Sequence, residues 1–107
     1  MKILDLSASP PGDATFHPAI LHQGETATIR RIALGKGAVI PPCPMQDDAV
    51  FVVLSGAVRF RAEGEEALVR APGAVWIPAS AATRGMEAEA SSVVLAVLCR
   101  TPTGSAP

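Results

Sequence analysis

The chain has 107 residues, a usual size for one domain and too few for two ordinary ones. Hydrophobic residues make up 49% of the chain and charged residues 18%, so the composition excludes a disordered protein and supplies an apolar core. The formal net charge is −1, and without a basic excess the chain lacks the electrostatic pattern of a nucleic-acid-binding protein.

The apolar stretches of the chain are short. The longest unbroken one, residues 93–99, is far below the roughly 20 residues of a membrane-spanning helix. The first residues lack the hydrophobic core and cleavage site of a signal peptide, so we expect a cytoplasmic protein. In that compartment Cys43 and Cys99, which form no CxxC pair, are expected to stay reduced.

Short runs rich in Val, Ile and Leu alternate with breaks that contain Gly and Pro. Many short strands at this spacing are typical of an all-β sandwich or barrel. In chain order, the predicted strands are residues 2–6, 26–34, 49–54, 57–61, 67–69, 75–77 and 92–99.

Two patterns predict which faces of these strands are covered. In residues 57–61 apolar and cationic side chains alternate, so Phe60 is expected to point inward and Arg59 and Arg61 outward. By contrast, residues 49–54 and 93–98 are apolar at every position, which predicts that both of their faces are covered. A homodimer would provide the second cover, and the chain's own loops are the alternative.

No segment has the periodicity of an amphipathic helix. Residues 79–86 are rich in alanine, but Pro78 before them and Gly85 among them favour a loop or a single turn. The sequence thus predicts one domain over residues 1–100 with an N-terminal strand at 2–6 and a barrel core at about 26–99. Residues 101–107 are expected to form a flexible C-terminal tail.

The glycines of two segments fall on a known pattern. Residues 37–56, GAVIPPCPMQDDAVFVVLSG, resemble the first motif of the cupin family, G-x5-H-x-H-x3/4-E-x6-G. Residues 73–83, GAVWIPASAAT, resemble the second motif, G-x5-P-x-G-x2-H-x3-N, but are one residue shorter between Gly73 and Pro78. The resemblance, over roughly residues 26–99, implies the cupin double-stranded β-helix, a jelly-roll barrel that often dimerises.

The resemblance also implies where a metal would be held. Cupin metal sites take two His and a Glu from the first motif and one His from the second, and here these positions are Cys43, Met45, Ala49 and Thr83. Because all four ligands are replaced, we expect no cofactor. Thiolate and thioether are soft donors, so copper or another transition metal at Cys43 and Met45 is the alternative, as is simple packing of both side chains.

Eight residues are predicted to line the barrel cavity. Arg84 is a candidate clamp for a carboxylate or phosphate, or a member of a surface ion pair, and Trp76 is either a stacking wall for a ligand or part of the core. The eight residues are Cys43, Met45, Ala49, Phe51, Trp76, Thr83, Arg84 and Glu87.

These residues favour a metal-free protein that binds a small molecule in the barrel or acts as a structural or regulatory module. An isomerase, epimerase or cyclase is the alternative, as is an enzyme with a soft-metal site at Cys43 and Met45. Without a metal, acid–base chemistry would need a titratable pair in the cavity, and Asp47, Asp48 and Glu87 are the candidates. An open cavity is the observation that would support binding of a small molecule.

Overall fold

The structure, a computed structural model, describes residues 1–44, 47–81 and 83–100, and for residues 42–44 it describes the backbone alone. The described residues form strands and no helix, so the prediction of an all-β protein is confirmed. The strands are β1 (Phe16–Gln23), β2 (Ala27–Leu34), β3 (Val39–Pro44), β4 (Asp48–Ser55), β5 (Ala57–Ala62), β6 (Glu65–Arg70), β7 (Gly73–Ile77), β8 (Thr83–Ala88) and β9 (Ser92–Cys99).

Two antiparallel sheets pack against each other. The first sheet has five strands in the order β1-β2-β9-β4-β7, and the second has four in the order β3-β8-β5-β6. Strands that are neighbours in the chain are therefore often in different sheets, as β3 and β4 are. This arrangement places the ends of distant strands around one interior space.

The core lies between the sheets and is mostly aliphatic. Along β4, Ala49, Phe51 and Val53 are buried while Val50 and Val52 between them are half-buried, as the alternation of a strand requires. The apolar residues of β4 and β9 thus divide between an inner face in the core and an outer face that the chain covers only in part.

The predicted orientation of β5 is confirmed. Phe60 is buried in the core, whereas Arg59 and Arg61 point to the outer face of the second sheet. There Arg59 pairs with Glu66 at 2.9 Å and with Glu89 at 2.8 Å. Arg61 pairs with Glu66 at 3.2 Å, so the two arginines share one carboxylate.

The glycines that carry the first motif lie at turns. Gly37 and Gly56 have φ of +84° and +82°, a backbone conformation that other residues rarely adopt. A Cβ on Gly56 would also lie 2.3 Å from the carbonyl oxygen of Ser91, inside van der Waals contact. This turn between β4 and β5 therefore requires glycine for two independent reasons.

The sequence did not predict β1 and β3, and it was wrong about β8, where residues 79–86 were expected to form a loop or turn. Pro18 in β1 and Pro41 in β3 hid these strands, but both strands lie at sheet edges, where a residue without an N–H is tolerated. Gly85 argued against regular structure, yet it is buried within β8 between β3 and β5.

The predicted N-terminal strand at residues 2–6 is also wrong. Residues 1–11 have no regular secondary structure, although alternate side chains such as Leu4 and Leu6 are half-buried. The Nη1 of Arg31 donates a 3.0 Å hydrogen bond to the carbonyl of Asp5, which fixes this segment beside β2. It packs on the sheet without adding a strand.

Two further predictions concern the C-terminal tail and membrane-spanning segments. The predicted tail, residues 101–107, lies outside the described residues. Within the part of the chain that the structure describes, no helix is long and apolar enough to cross a membrane.

Candidate ligand-binding cavity

A cavity of about 170 Å³ lies between the two sheets. Its walls come from β2, β3, β4, β5, β7, β8 and β9, and β1 forms part of its rim. The residues that line it are Phe16, Pro18, Arg30, Ile32, Ile40, Phe51, Phe60, Ile77, Arg84, Gly85, Met86, Ala96 and Leu98. Most of these side chains are apolar, so the cavity favours an apolar ligand over a strongly hydrated one.

Two aromatic rings and one small residue shape the interior. Phe51 and Phe60 come from opposite sheets, and their ring centroids are 5.4 Å apart. Ala96 on β9 is buried and lines the same cavity. Because a methyl group fills little volume, alanine here leaves open space that a larger aliphatic residue would occupy.

The rim of the cavity is more exposed than its walls. Phe16 of β1 is 37% exposed, and Pro18 beside it is exposed as well. Arg30 on β2 has the same strand parity as the buried Ile32, so its side chain lies on the cavity side of the sheet while remaining in contact with solvent. This edge of the barrel is a candidate entrance.

Arg84 is the charged residue buried in the cavity wall. It lies on β8 and is only 4% exposed. Its Nε donates to the carbonyl of Ala81 at 3.0 Å, and its Nη2 donates to the carbonyls of Asp47 and, at 2.9 Å, Pro78. These bonds hold the guanidinium between the loop before β8 and the residues before β4.

The remaining nitrogen of this side chain has no partner. Arg84 Nη1 is buried and makes no hydrogen bond with the described residues. The ion pairs found among those residues belong to Arg59 and Arg61, so no described carboxylate lies within 4.0 Å of the Arg84 guanidinium. Carbonyl oxygens satisfy the donors on Nε and Nη2 but leave the positive charge unpaired among the described residues.

Of the predicted residues whose side chains the structure describes, Phe51 and Arg84 line this cavity. Ala49 is buried at 1% exposure in the adjoining core but does not line the cavity. The backbone of Cys43 in β3 pairs with that of Arg84 in β8. Met45 lies outside the described residues.

The prediction that Thr83 lines the cavity is wrong. Thr83 is exposed, and its neighbour Arg84 lies inside the barrel instead. Adjacent strand residues point to opposite faces, so a register offset of one residue exchanges them. The second motif is one residue shorter than usual, and that departure is the signal that could have revealed the exchange.

Glu87 also lies outside the cavity. It is on the outer face of β8, where its carboxylate is 3.4 Å from Nη2 of Arg61. The surface ion pair, which the sequence left open for this region, is therefore the arrangement of Glu87. It follows from strand alternation, since Glu87 has the same parity as Thr83 and not as Arg84.

Trp76 belongs neither to the core nor to this cavity. It is 61% exposed on β7 and lines a groove of about 580 Å³ between β6 and β7, together with Glu65, Pro78 and Ser80. β7 is an edge strand of the first sheet, so among the described strands only β4 lies beside Trp76 in that sheet.

Asp47 and Asp48 lie beside the loop that precedes β8. An oxygen of the Asp48 carboxylate accepts a 2.7 Å hydrogen bond from the backbone N–H of Ala79. The Asp47 carbonyl accepts from Arg84. Both aspartates thus fasten the loop before β8, and neither lines the cavity.

Several lining residues escaped the sequence analysis. Phe16, Pro18 and Arg30 depend on β1 and its neighbour, and β1 was not predicted. Met86 and Gly85 depend on β8, which was taken as a loop. The alternation of Thr83, Arg84, Gly85 and Met86 was the available signal, but the small residues around it obscured the strand.

The four positions implied for a metal do not fit one. Ala49 has no donor atom, and Thr83 is exposed on the outer face of the second sheet. Among the described residues no group of three or more His, Cys, Asp or Glu side chains is placed to hold a metal ion.

Solved structures share this fold at low sequence identity. A conserved protein of unknown function from Streptococcus pyogenes superposes with a TM-score of 0.80 at 18% identity, covering 96% of this chain and 98% of that one. An RmlC-like cupin from Desulfovibrio desulfuricans gives 0.79 at 19% identity, covering 92% and 96%. KdgF from a Halomonas species gives 0.72 at 22% identity, covering 92% and 88%.

These similarities establish the fold. The chain has the β-barrel of a small RmlC-like cupin, as the two glycine motifs indicated. No protein-family model matches the sequence, and no curated protein matches it either. Since proteins of one fold perform many functions, the function has to be argued from the cavity itself.

Proposed function

We propose that this protein binds a small, mainly apolar molecule in the cavity between its two sheets, without a metal ion. The observation that carries the proposal is an apolar cavity of about 170 Å³ that contains the buried and partly unpartnered Arg84. Apolar cavities of about 150 Å³ are large enough for a benzene-sized molecule.

The composition of the wall supports binding over catalysis. The described residues that line the cavity include Arg30 and Arg84 but no carboxylate and no histidine. Of the acids considered for proton transfer, Glu87 pairs with Arg61 on the outer face and Asp48 caps Ala79. General acid–base chemistry requires such a group within reach of the ligand.

The proposal can be tested with a neutral probe. We expect benzene, followed by NMR, to shift the methyl resonances of Ile32, Met86 and Leu98 in a saturable way. The variant Ala96→Leu should abolish these shifts, because the added atoms occupy the cavity. Ala74→Leu, the same change at an exposed position of β7, is the control and should bind as the wild type does.

Two results would contradict this function. One is the absence of saturable shifts in a folded wild-type protein. The other is a set of shifts confined to Trp76 and its neighbours, which would place binding in the groove between β6 and β7. The fold of each variant is checked by its amide spectrum before its binding is interpreted.

The absence of a metal is part of the proposal. Elemental analysis of the purified protein should show no stoichiometric transition metal, and Cys43→Ser should leave the metal content unchanged. A stoichiometric metal that disappears in Cys43→Ser would instead support the soft-donor site suggested by Cys43 and Met45.

We also propose that the protein is a homodimer. The outer face of the first sheet carries Val50, Val52 and Val97, which one chain leaves half-buried, and association would bury them further. Analytical ultracentrifugation should give twice the mass of one chain, and Val52→Glu should give a monomer. Leu68→Glu, on the outer face of the other sheet, should remain dimeric, whereas a monomeric wild type would contradict the proposal.

A further inference from the structure

Arg84 has more hydrogen-bond donors than the protein satisfies. A guanidinium has five N–H groups, one on Nε and two on each Nη. Three carbonyl oxygens, those of Ala81, Asp47 and Pro78, accept from Nε and Nη2. The two N–H groups of Nη1 remain without a partner among the described residues.

These carbonyls also hold the guanidinium in place. They come from two segments of the chain, since Asp47 precedes β4 and Pro78 and Ala81 lie in the loop between β7 and β8. An arginine fixed in this way loses little conformational freedom when a ligand binds. Nη1 is therefore a preorganised donor on a residue that lines a largely apolar cavity.

The charge of this group determines what would pair with it best. A buried cation without a counter-ion is costly, and a neutral acceptor such as water would satisfy its N–H groups but not its charge. A carboxylate would do both, and hydrogen bonds between charged groups are roughly twice as strong as neutral ones. An anionic ligand thus gains more from this position than a neutral one.

The rest of the cavity limits the anion to a single charge. Among the described residues that line it, the one cation besides Arg84 is Arg30, which is exposed at the rim. A phosphate monoester would bring close to two charges at neutral pH and more oxygens into walls formed by Phe51, Phe60 and Leu98. Those additional oxygens would lose water without gaining partners.

We infer that the ligand of this cavity is a small monocarboxylate with an apolar body, its carboxylate on Arg84 Nη1 and its body against the phenylalanine rings. The inference rests on the proposed function, because it names the class of molecule that the same cavity binds. The cavity volume restricts the body to about the size of one six-membered ring or a short aliphatic chain.

The test compares probes of equal shape and different charge on the wild-type protein. Benzoate, benzamide and phenyl phosphate are titrated at pH 7 by calorimetry, with the NMR shifts of Met86 and Leu98 reporting the site. We expect benzoate to bind at least about tenfold more tightly than benzamide, and phenyl phosphate to bind more weakly than benzoate.

A variant isolates the charge. Arg84→Gln retains hydrogen-bond donors and removes the positive charge, so the ratio of benzoate to benzamide affinity should fall to about one while benzamide still binds. If this variant does not fold, the pH dependence of the wild type replaces it. Affinity for benzoate should then fall as the pH drops through the carboxyl pKa of the probe, and affinity for benzamide should not.

The outcomes separate this inference from the proposed function. If benzamide binds as tightly as benzoate and Ala96→Leu blocks both, the cavity binds small molecules but the carboxylate assignment is wrong. If phenyl phosphate binds most tightly, the single-charge argument is wrong. If no probe binds to the folded protein, both the inference and the proposed function are contradicted.

Discussion

The arginines on the two faces of the second sheet differ in their burial and in their hydrogen-bond partners. On the outer face, Arg59 and Arg61 are partly exposed and share Glu66, with Glu87 and Glu89 as further partners. On the inner face, Arg84 is 4% exposed, and its described partners are carbonyl oxygens alone.

This difference separates a structural role from a binding role. Exposed ion pairs satisfy the charges of both partners within the protein, and each contributes little to stability. A buried guanidinium with an unpartnered nitrogen can instead bind an acceptor group of a ligand. If the comparison is right, substitutions at inner positions should cost more stability than substitutions at outer ones.

The largest effect on stability is expected for Phe60→Ala. Phe60 is 3% exposed and packs near Phe51, so its truncation should lower the free energy of unfolding by about 3–5 kcal/mol in urea titrations. Trp76→Ala should cost about 1 kcal/mol or less, because most of this side chain contacts solvent. Equal losses for the two would contradict the assignment of inner and outer faces.

A smaller effect is expected at the β4–β5 turn. In Gly56→Ala the positive φ becomes strained, and the new Cβ would lie 2.3 Å from the Ser91 carbonyl oxygen. We therefore expect the free energy of unfolding to fall by about 2–4 kcal/mol. Gly64 has φ +78° but open space around it, and Gly64→Ala should cost about 1 kcal/mol. Thermal unfolding distinguishes these values, and similar costs would mean that the close approach at Gly56 is unimportant.

Neighbouring serines at the start of β9 offer a third test. The buried Ser92 Oγ accepts a 3.1 Å hydrogen bond from the Ala57 N–H, and Ser92→Ala should cost about 1–3 kcal/mol. Ser91 is exposed, so Ser91→Ala is the matched control and should have little effect. A neutral Ser92→Ala in chemical denaturation would show that this bond does not stabilise the turn.

The smallest effect is expected on the outer face. Hydrogen bonds from Arg59 and then Arg61 hold the pKa of the Glu66 carboxyl below its ordinary value of 4.5. Its contribution to stability is therefore present above about pH 4.5 and is lost as the pH falls through the lowered pKa. Glu66→Gln should slightly destabilise the protein at pH 7 and make no difference in acid.

Urea midpoints at neutral and acid pH check this expectation, with Glu65→Gln as the control on the same strand. High salt should also reduce the difference at neutral pH, since exposed pairs are screened. A Glu66→Gln effect that grows as the pH falls would have the wrong sign for this pKa shift.

The sequence predicted the fold better than the site, for a physical reason. Glycines at turns and apolar strands are local signals, so β4, β5 and β9 and the cupin-like barrel could be identified from single segments. Strands with proline or glycine, such as β3 and β8, form because of their position in a sheet, which no local pattern displays.

The site depends on register, and register is a property of pairs of strands. One residue of offset placed Arg84 inside and Thr83 outside, and it left Glu87 on the surface with Arg61. Phe51 lines the cavity because β4 is flanked by strands on both sides and its alternation is unbroken. The unpaired nitrogen of Arg84 is visible only when all surrounding carbonyls have been placed.

The central claim is that Arg84 and the cavity form one site for an anion with an apolar body. A crystal structure of the protein with benzoate tests it most directly. We expect the ring to pack against Phe51 and Phe60 and a carboxylate oxygen to lie within hydrogen-bond distance of Arg84 Nη1. Benzoate bound only in the groove beside Trp76, or with its carboxylate directed to Arg30 at the rim, would contradict it.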